Sequence, residues 1–305
     1  MLTVSSLAAP QLRAQLAGPG LRVRTGPFVA CIGSRLPRVA AGIGLLYADY
    51  PLLPEDAFAD FHVGLARPGS WRGWLRPQVQ FSCDGAAPFQ PLPLAQSFPM
   101  LEWGLNWCVS THAHSWLVIH AAVVEKHGKA AILPAPPGSG KSTLCAALVN
   151  RGWRLLSDEL ALIRPDTVEL EPLPRPVSLK NRSIDLIREF APGAVFSESV
   201  HDTAKGTVAH MRAPADSVAR AHETAEPAWI VFPRYEAEAP PLLAEVAPAR
   251  SFLRLAENAF NYSLLGATGF ETVGRVIDRV RTYDFSYSRL DDALAVFDRL
   301  AGGST

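Results

Sequence analysis

The sequence predicts an α/β fold, with a smaller α+β domain over residues 1–115 and a larger domain over residues 116–305. The first observation is that strand-like and helix-like segments alternate clearly only from Trp116 onward. The second is a glycine-rich segment that joins a predicted strand to a predicted helix, an arrangement typical of α/β domains. The third is size, because 305 residues with a hydrophobic fraction of 48% are enough for two modest cores.

Composition narrows the function classes. The formal net charge is zero and the pI is about 7.1, so we expect neither a nucleic-acid partner nor a membrane surface. No apolar run approaches the roughly 20 residues of a membrane span, and the first residues lack the pattern of a signal peptide. The cysteines show no paired spacing, which predicts reduced, mostly buried thiols and a cytoplasmic protein. They are Cys31, Cys83, Cys108 and Cys145.

The first 115 residues carry mixed signals. Strands are predicted over 21–32, 61–65 and 74–81, the last two around a turn-rich segment at 67–70. Helices are predicted over 39–50, which Pro51 and Pro54 end, and over 98–111. The tryptophans of this region are predicted to pack in the core, a binding face being the alternative. They are Trp71, Trp74, Trp103, Trp107 and Trp116.

Later elements follow a sharper pattern. A hairpin is predicted from 117–124 and 129–133 around a turn at 126–128, followed by a helix from 143 that ends near Gly152. A strand over 153–163 turns at 164–167 into a returning strand over 168–173. Helices are predicted at 183–190, with Ser183 as the cap, and at 251–260, 272–280 and 290–300. Further strands are predicted at 229–232 and 283–287.

Residues 135–142 (A-P-P-G-S-G-K-S) have the composition of a phosphate-binding loop, with a strand before and a helix after. Glycines let consecutive backbone N–H groups point at an anion, and the helix N-terminus adds partial positive charge. A lysine here can reach the β- and γ-phosphates of a nucleotide, and the following serine can hold Mg²⁺. A chance turn before a helix is the alternative. The predicted nucleotide-binding residues are Pro137, Gly138, Ser139, Gly140, Lys141, Ser142 and Thr143. The usual first glycine is replaced by Ala135, which requires a negative φ there.

An acidic pair, Asp158 and Glu159, ends the next predicted apolar strand, and Asp158 lies 17 positions after Lys141. We expect both carboxylates beside the γ-phosphate, one accepting a proton from an attacking hydroxyl and the other holding Mg²⁺ with Ser142. A charged strand end that faces water is the alternative. His120, on the strand before the loop strand, is either a site residue or a core histidine.

Two further basic segments can contact substrate or phosphate. Arg175 and Lys180 follow the strand at 168–173, and solvated surface cations are the alternative. Residues 201–210 are predicted as a loop over the phosphates, in which Lys205 neutralises charge and Gly206 allows close approach. An exposed polar loop is the alternative for that segment.

These motifs occur in an order that resembles the C-terminal kinase domain of HPr kinase/phosphorylase. The order is His120, then Gly140-Lys141-Ser142, then the segment 151–159 (R-G-W-R-L-L-S-D-E). The sequence resembles still more closely the proteins called HPr kinase-related kinase A, through 173–181 (L-P-R-P-V-S-L-K-N) and 201–210 (H-D-T-A-K-G-T-V-A-H). The resemblance covers about residues 116–305.

The resemblance implies a phosphate-loop kinase domain of the HPr kinase and phosphoenolpyruvate carboxykinase type, which uses ATP and Mg²⁺. It implies that Asp158 is the general base toward a serine hydroxyl, that His120 lies near the phosphates, and that Ser142 and Glu159 hold the metal. Three departures are visible. Glu159 replaces an aspartate, no carboxylate precedes Arg175, and no HPr-recognition segment is recognisable.

We therefore expect a cytoplasmic ATP-dependent kinase whose catalytic residues are Asp158, His120 and Lys141. The narrower resemblance implies a peptide or protein acceptor in ribosomal-peptide biosynthesis, with a PqqD-like peptide-binding protein as a partner. A homo-oligomer is implied by the broader one. The alternatives are a small-metabolite kinase, a phosphoenolpyruvate carboxykinase-like enzyme, and a nucleotide-sensing module with little catalysis. The lack of a second basic cluster near the loop speaks against the carboxykinase.

Overall fold

The fold is mixed α/β with several sheets, as a computed structural model describes it over residues 2–69, 76–136 and 138–302. The expected strand at 74–81 lies partly outside these ranges, as do Trp71, Trp74 and Pro137. The three sheets hold residues 21–93, residues 117–287 and residues 177–211. The boundary at residue 115 stays a prediction.

The first sheet has the strand order β1-β2-β3-β4-β5, in which only β2 and β3 run parallel. Its strands are β1 (Leu21–Thr25), β2 (Phe28–Ser34), β3 (Phe61–Ala66), β4 (Gln78–Cys83) and β5 (Leu92–Pro93). The helices of this region are α1 (Ala9–Ala17), α2 (Pro37–Leu46) and α3 (Ser97–His112), with short 3-10 turns at Val4–Ser6 and Leu94–Gln96. Helix α3, which is buried on most of its sides, packs with the strands in one core that includes Phe81 and Phe98.

The largest sheet carries the glycine-rich segment, with the strand order β10-β9-β6-β7-β14-β16-β15 and β8 also paired to β6. Its strands are β6 (Leu117–Lys126), β7 (Lys129–Pro134), β8 (Arg154–Ser157), β9 (Leu160–Ile163), β10 (Leu170–Glu171), β14 (Glu226–Tyr235), β15 (Leu242–Glu245) and β16 (Arg281–Tyr287). Strands β7, β14 and β16 are parallel, so their carboxyl ends lie at one edge. Their near-continuous apolar runs fit strands that are covered on both faces.

A small antiparallel sheet has the order β11-β13-β12. Its strands are β11 (Val177–Lys180), β12 (Val200–Thr203) and β13 (Gly206–Met211). The helices of this half are α4 (Lys141–Val149), α5 (Arg182–Phe190), α6 (Ala215–Ala219), α7 (Pro248–Glu257), α8 (Tyr262–Leu265), α9 (Ala267–Ile277) and α10 (Leu290–Gly302). No helix in the described part of the chain has the length and apolar character that crossing a membrane requires.

Three local predictions are wrong. The single strand over 153–163 is two strands, β8 and β9, because Asp158 and Glu159 interrupt the ladder while both strands pair with β6. Residues 201–210 belong to a hairpin, not a loop, since Gly206 (φ +81°) permits a tight turn between β12 and β13. Helix α5 begins after Asn181 (φ +52°), and the Ser183 hydroxyl instead bonds to Lys180.

The cysteines are all free and buried, as expected. Two of the cysteines nevertheless lie in contact, although the sequence shows no paired spacing. The Sγ atoms of Cys83 on β4 and Cys108 on α3 are 3.4 Å apart. Burial raises the pKa of the Cys108 thiol above its ordinary range, which keeps the thiol protonated. This contact therefore packs α3 against the first sheet.

The first and second halves of the chain share one hydrophobic core, which contains Leu65 and Leu101 as well as Leu144 and Leu179. A polar contact crosses the same boundary, since the Tyr50 hydroxyl donates to the Pro174 carbonyl at 2.7 Å. The turn between β1 and β2 packs tightly on the same segment, where a Cβ on Gly26 would overlap the Pro172 carbonyl oxygen.

Gly26→Ala should therefore destabilise the protein by more than its backbone conformation alone predicts. Gly85 is a matched control, because its φ is also positive (+83°) but a Cβ there would meet nothing within 4 Å. Each alanine costs about 1 kcal/mol for the left-handed conformation, and Gly26→Ala adds about 1–3 kcal/mol for the overlap. Urea unfolding of both variants measures the difference. Equal losses would show that the two halves do not press together at Pro172.

Candidate active site

The glycine-rich segment bends from β7 into the N-terminus of α4. Gly140 precedes the first helical residue with a φ of +89°, a conformation that favours glycine. Its neighbours leave no room for a side chain, since a Cβ would lie 2.7 Å from the Tyr287 hydroxyl oxygen. That hydroxyl donates to the Gly140 carbonyl at 3.1 Å, and the Tyr235 amide donates to Ser139 at 2.9 Å. The carboxyl ends of β14 and β16 therefore brace the segment.

The backbone on either side of Gly140 has the conformation that its residues allow. Gly138 has a φ of +88° with open space where a Cβ would lie, whereas Ala135 is buried without a positive φ, as its side chain requires. Ser142 and Thr143 lie half-buried in the first turn of α4, where free backbone N–H groups and the helix dipole favour an anion. This end of α4 can thus hold a phosphate group.

Lys141, His120 and Glu159 form one polar cluster beside the loop. The Lys141 ammonium is 7% exposed and lies 3.0 Å from His120 Nε2 and 3.7 Å from Glu159 Oε2. His120 Nε2 in turn lies 2.9 Å from Glu159 Oε2. A single ring nitrogen either donates or accepts a hydrogen bond. His120 Nε2 can therefore donate to the Glu159 carboxylate or accept from the Lys141 ammonium, but not both. When it donates to Glu159, an N–H group of Lys141 is left to donate to an incoming anion.

Glu159 is ionised in this cluster. Burial alone would raise its pKa, but the hydrogen bond from His120 and the charge of Lys141 hold the pKa well below its ordinary value. Its carboxylate is thus a permanent negative charge at the same edge of the sheet.

Asp158 has a different environment, although it is the adjacent residue. It is 4% exposed, and its Oδ2 atom accepts the backbone N–H of Ser178 at 3.0 Å. Its Oδ1 atom is buried and has no partner in good hydrogen-bond geometry, although the Ser142 hydroxyl lies near enough to the carboxyl group to oppose the rise of its pKa. Burial, and then the charge of Glu159, raise the pKa of Asp158 to about 6 despite the opposing effect of Lys141. The two neighbouring carboxyl groups therefore titrate in separate ranges, a pattern that marks acid–base sites.

A small cavity of about 20 Å³ adjoins Asp158, with room for about one water-sized group. Helix α3, the β8–β9 break, the segment before β11, and β13 all contribute to its walls. Its lining residues are Glu102, Trp103, Asn106, Ser157, Asp158, Glu159, Leu173, Arg175, Pro176, Ser178 and His210. Sequence reasoning missed Glu102 and Asn106, because no spacing in the sequence connects α3 with the acidic pair, and it gave Ser178, within the segment 173–181, no role of its own.

Arg175 lies in the wall of this cavity as an internal counter-ion. It is 6% exposed, and its guanidinium donates to Glu102 Oε2 at 2.6 Å and to Asn106 Oδ1 at 2.7 Å. The Tyr47 hydroxyl donates to the other oxygen of Glu102 at 2.7 Å. Burial alone would lower the pKa of Arg175, but Tyr47 and Glu102 raise it above its ordinary value. Arg175 is thus a buried, paired cation and not the solvated surface cation that the sequence left as the alternative.

Lys205 lies at the tip of the β12–β13 hairpin, with its ammonium 5.3 Å from the centre of the Trp103 ring. Partial desolvation lowers its pKa, and the nearby charges of Lys180 and Lys141 act in the same direction. Lys205 therefore lies near enough to Lys141 and Lys180 for their positive charges to act on it.

The oxygen-bearing side chains fit a Mg²⁺ ion that is shared with phosphates. Residues 2–69, 76–136 and 138–302 contain no group of three or more His, Cys, Asp and Glu side chains that could hold a metal by themselves. Mg²⁺ seldom needs such a cage, since one or two side-chain oxygens, water and substrate phosphates suffice. Ser142 and Glu159 can supply those oxygens, and the partnerless Oδ1 atom of Asp158 shows that this edge has spare acceptor capacity.

The chain is similar to one family model and to solved structures. Residues 99–185 match the family described as SynChlorMet cassette protein ScmC. The HPr(Ser) kinase/phosphatase from Coxiella burnetii is 15% identical, and the match covers 61% of this chain and 99% of that one with a TM-score of 0.29. No curated protein matches the sequence.

Asp158→Asn should stabilise the protein above pH 6. The folded state holds the Asp158 proton more tightly than the unfolded state, so the free energy of unfolding falls as pH rises from about 4 to about 6. Asparagine has no proton to lose. Above about pH 6, the free energy of unfolding of the variant should therefore exceed that of the wild type by on the order of 2 kcal/mol. Urea unfolding at about pH 4.5 and about pH 8 measures the gain. Asp185→Asn, at an exposed carboxylate, should show no such pH-dependent difference. A gain that is the same at both pH values would contradict the buried-carboxyl assignment.

Proposed function

We propose that the protein is an ATP-dependent kinase that transfers the γ-phosphate to a hydroxyl group of a peptide or protein. The observation that carries this proposal is the buried Asp158 carboxyl group, whose partnerless Oδ1 atom lies in a cavity beside the Lys141 cluster. A carboxylate with a pKa of about 6 suits a general base near neutral pH.

The residues before and within α4 would bind the nucleotide. Backbone N–H groups from Gly138 to Thr143 surround the β- and γ-phosphates, and Lys141 moves from His120 to the phosphate oxygens. Mg²⁺, held by Ser142 and Glu159, would neutralise charge on the phosphates. His120 keeps Glu159 ionised and oriented through their hydrogen bond.

In the transfer step, the acceptor hydroxyl oxygen forms a bond to the γ-phosphorus while the bond from that phosphorus to the bridging oxygen breaks. The hydroxyl proton passes to Asp158 Oδ1 and then to solvent, and ADP leaves with the electron pair of the broken bond. Lys141, and Lys205 from the hairpin, offset the negative charge of the transferring group. ATP and the alcohol thus give a phosphate ester, ADP and a proton.

The acceptor class comes from two supporting points. The resemblance to HPr kinase-related proteins directs the activity to serine or threonine in a peptide or protein, and the match of residues 99–185 to a cassette protein supports a role in a multi-gene pathway. We propose tailoring of a ribosomally made peptide, presented by a PqqD-like protein, as that role.

The experiment is incubation with γ-³²P-ATP, Mg²⁺ and degenerate peptides that carry serine or threonine. Label on peptide that disappears in Asp158→Asn supports the kinase. Label released only as inorganic phosphate points to ATP hydrolysis, and nucleotide binding without turnover points to the sensing module. Label on a low-mass product from a metabolite extract would support the metabolite kinase instead.

The transfer rate should rise with pH through about 6, because Asp158 must be ionised to accept a proton and its pKa is raised to that value. An ordinary aspartate would place this limb near pH 4. Single-turnover rates from about pH 5 to about pH 9 locate the limb. Asp158→Asn should lose at least about a hundredfold in rate, whereas Asp185→Asn should keep both rate and limb. A rate that does not change between pH 5 and pH 7 would remove Asp158 from the base role.

A further inference from the structure

The connections that follow the neighbouring strands β7 and β14 leave the largest sheet on opposite faces. After β7 the chain enters α4, whose Leu144 packs in one core cluster with Val231 of β14. After β14 it passes through β15 to α7 and α9, whose Leu255 and Val273 pack in another cluster with Ile230. Ile230 and Val231 are consecutive, so their side chains point to opposite faces. Parallel neighbours whose connections diverge in this way leave a crevice at their carboxyl ends, where open α/β sheets bind ligands.

Tyr235, the last residue of β14, lies at this crevice. Its amide donates to the Ser139 carbonyl at 2.9 Å, and a Cβ on Gly140 would lie 3.1 Å from the Tyr235 Cβ atom. Its ring packs edge-on against the Tyr287 ring, with the centroids 6.1 Å apart. The main chain therefore fixes Tyr235 against the glycine-rich segment, and Tyr287 fixes the orientation of its ring.

The two tyrosines differ in what their rings can still contact. Tyr287 is 1% exposed, and its hydroxyl already donates to the Gly140 carbonyl. Tyr235 is 49% exposed although it touches the same segment. A rigid aromatic ring that is half in water can stack on a flat ligand, because stacking uses the face of the ring and needs no matching hydrogen bond.

The direction of a bound nucleotide follows from the charged groups on the other side of the segment. The Lys141 ammonium lies 3.0 Å from His120 of β6 and 3.7 Å from Glu159, so these charges are on the β6 side of β7. Under the proposed function, the γ-phosphate binds there. The base is attached to the opposite end of the triphosphate and extends toward the β14 side, where Tyr235 lies.

We propose that the Tyr235 ring stacks on the nucleobase of the bound nucleotide and forms the base subsite of this protein. The inference rests on the proposed function and adds the residue that holds the base. The ring is the part that matters, because its face makes the contact and its hydroxyl does not. The crevice between β7 and β14 thereby holds the base, as the segment before α4 holds the phosphates.

The test is isothermal titration calorimetry of the whole chain with Mg²⁺ and two probes. One probe is adenylyl imidodiphosphate, an ATP analogue that resists transfer, and the other is inorganic tripolyphosphate, which has no base. We expect Tyr235→Ala to weaken binding of the analogue about tenfold and to leave binding of tripolyphosphate within about twofold of the wild type. Tyr235→Phe keeps the ring and should bind both probes as the wild type does.

Phe270→Ala is the matched control, because Phe270 is also an exposed ring, at 58%, but lies on α9 against Phe252. It should bind both probes as the wild type does. The thermal midpoint of each variant shows whether it is folded, and Tyr235→Leu, an apolar side chain without an aromatic face, replaces Tyr235→Ala if that variant does not fold. A folded variant without the ring that binds the analogue as tightly as Phe270→Ala does would overturn the subsite. Equal weakening of both probes would also overturn it, because Tyr235 would then act through the shape of the segment.

The outcomes separate this inference from the proposed function. Selective loss of analogue binding in Tyr235→Ala, in a protein that transfers phosphate to no acceptor, would keep the base subsite and reject the kinase. Phosphate transfer by a protein whose Tyr235→Ala variant binds both probes normally would keep the kinase and reject the subsite. Binding of neither probe to the wild type would reject both.

Discussion

The architecture of the site depends on keeping one carboxyl group away from water. Asp158 lies in the break between two strands, with one oxygen on a backbone amide and the other free. Such burial is unfavourable for an ionised group, and the negative charge of Glu159 next to it adds to the cost. The Lys141 and His120 contacts to Glu159 offset part of that cost. Lys141 therefore also stabilises the buried carboxyl groups. If Lys141 turned to a bound anion, its contacts with that anion would replace those it lost.

A second buried charge pair connects the site to the first half of the chain. Glu102 and Arg175 are both almost fully buried, and Tyr47 and Asn106 complete their hydrogen bonds. Buried pairs of this kind contribute little net stability, because desolvation nearly balances the attraction, but removing one partner is costly. The pair fixes where α3 lies relative to Asp158, and so sets the shape of the cavity to which Trp103 contributes.

The sequence was sufficient for the parts of the site that are contiguous in the chain. The glycine-rich segment, the acidic pair and the hairpin through residues 117–133 depend on local periodicity and turn residues, and the structure forms each of them. Helix α3 was predicted as an element, but its contact with Arg175 was not, because that contact joins residues more than 70 positions apart and carries no spacing signal. The acidic pair was expected at a strand end, but the strand was still extended to residue 163, since apolar residues flank the pair on both sides. His210 was expected in an accessible loop, whereas it lies in the half of β13 that is buried without interruption, from Val208 to Met211.

The bracing of Gly140 by Tyr287 has a consequence for how the protein is made. The two residues are 147 positions apart, and the strand that pairs with β7 on its far side, β14, begins only at Glu226. During synthesis the glycine-rich segment leaves the ribosome long before these supports exist, so β7 has one edge unpaired and the bend before α4 has nothing to hold it. The bend before α4 can therefore take its braced shape only after β16 has been translated and has paired with β14. Under the proposed function, nucleotide would then stabilise only those chains in which the sheet is complete.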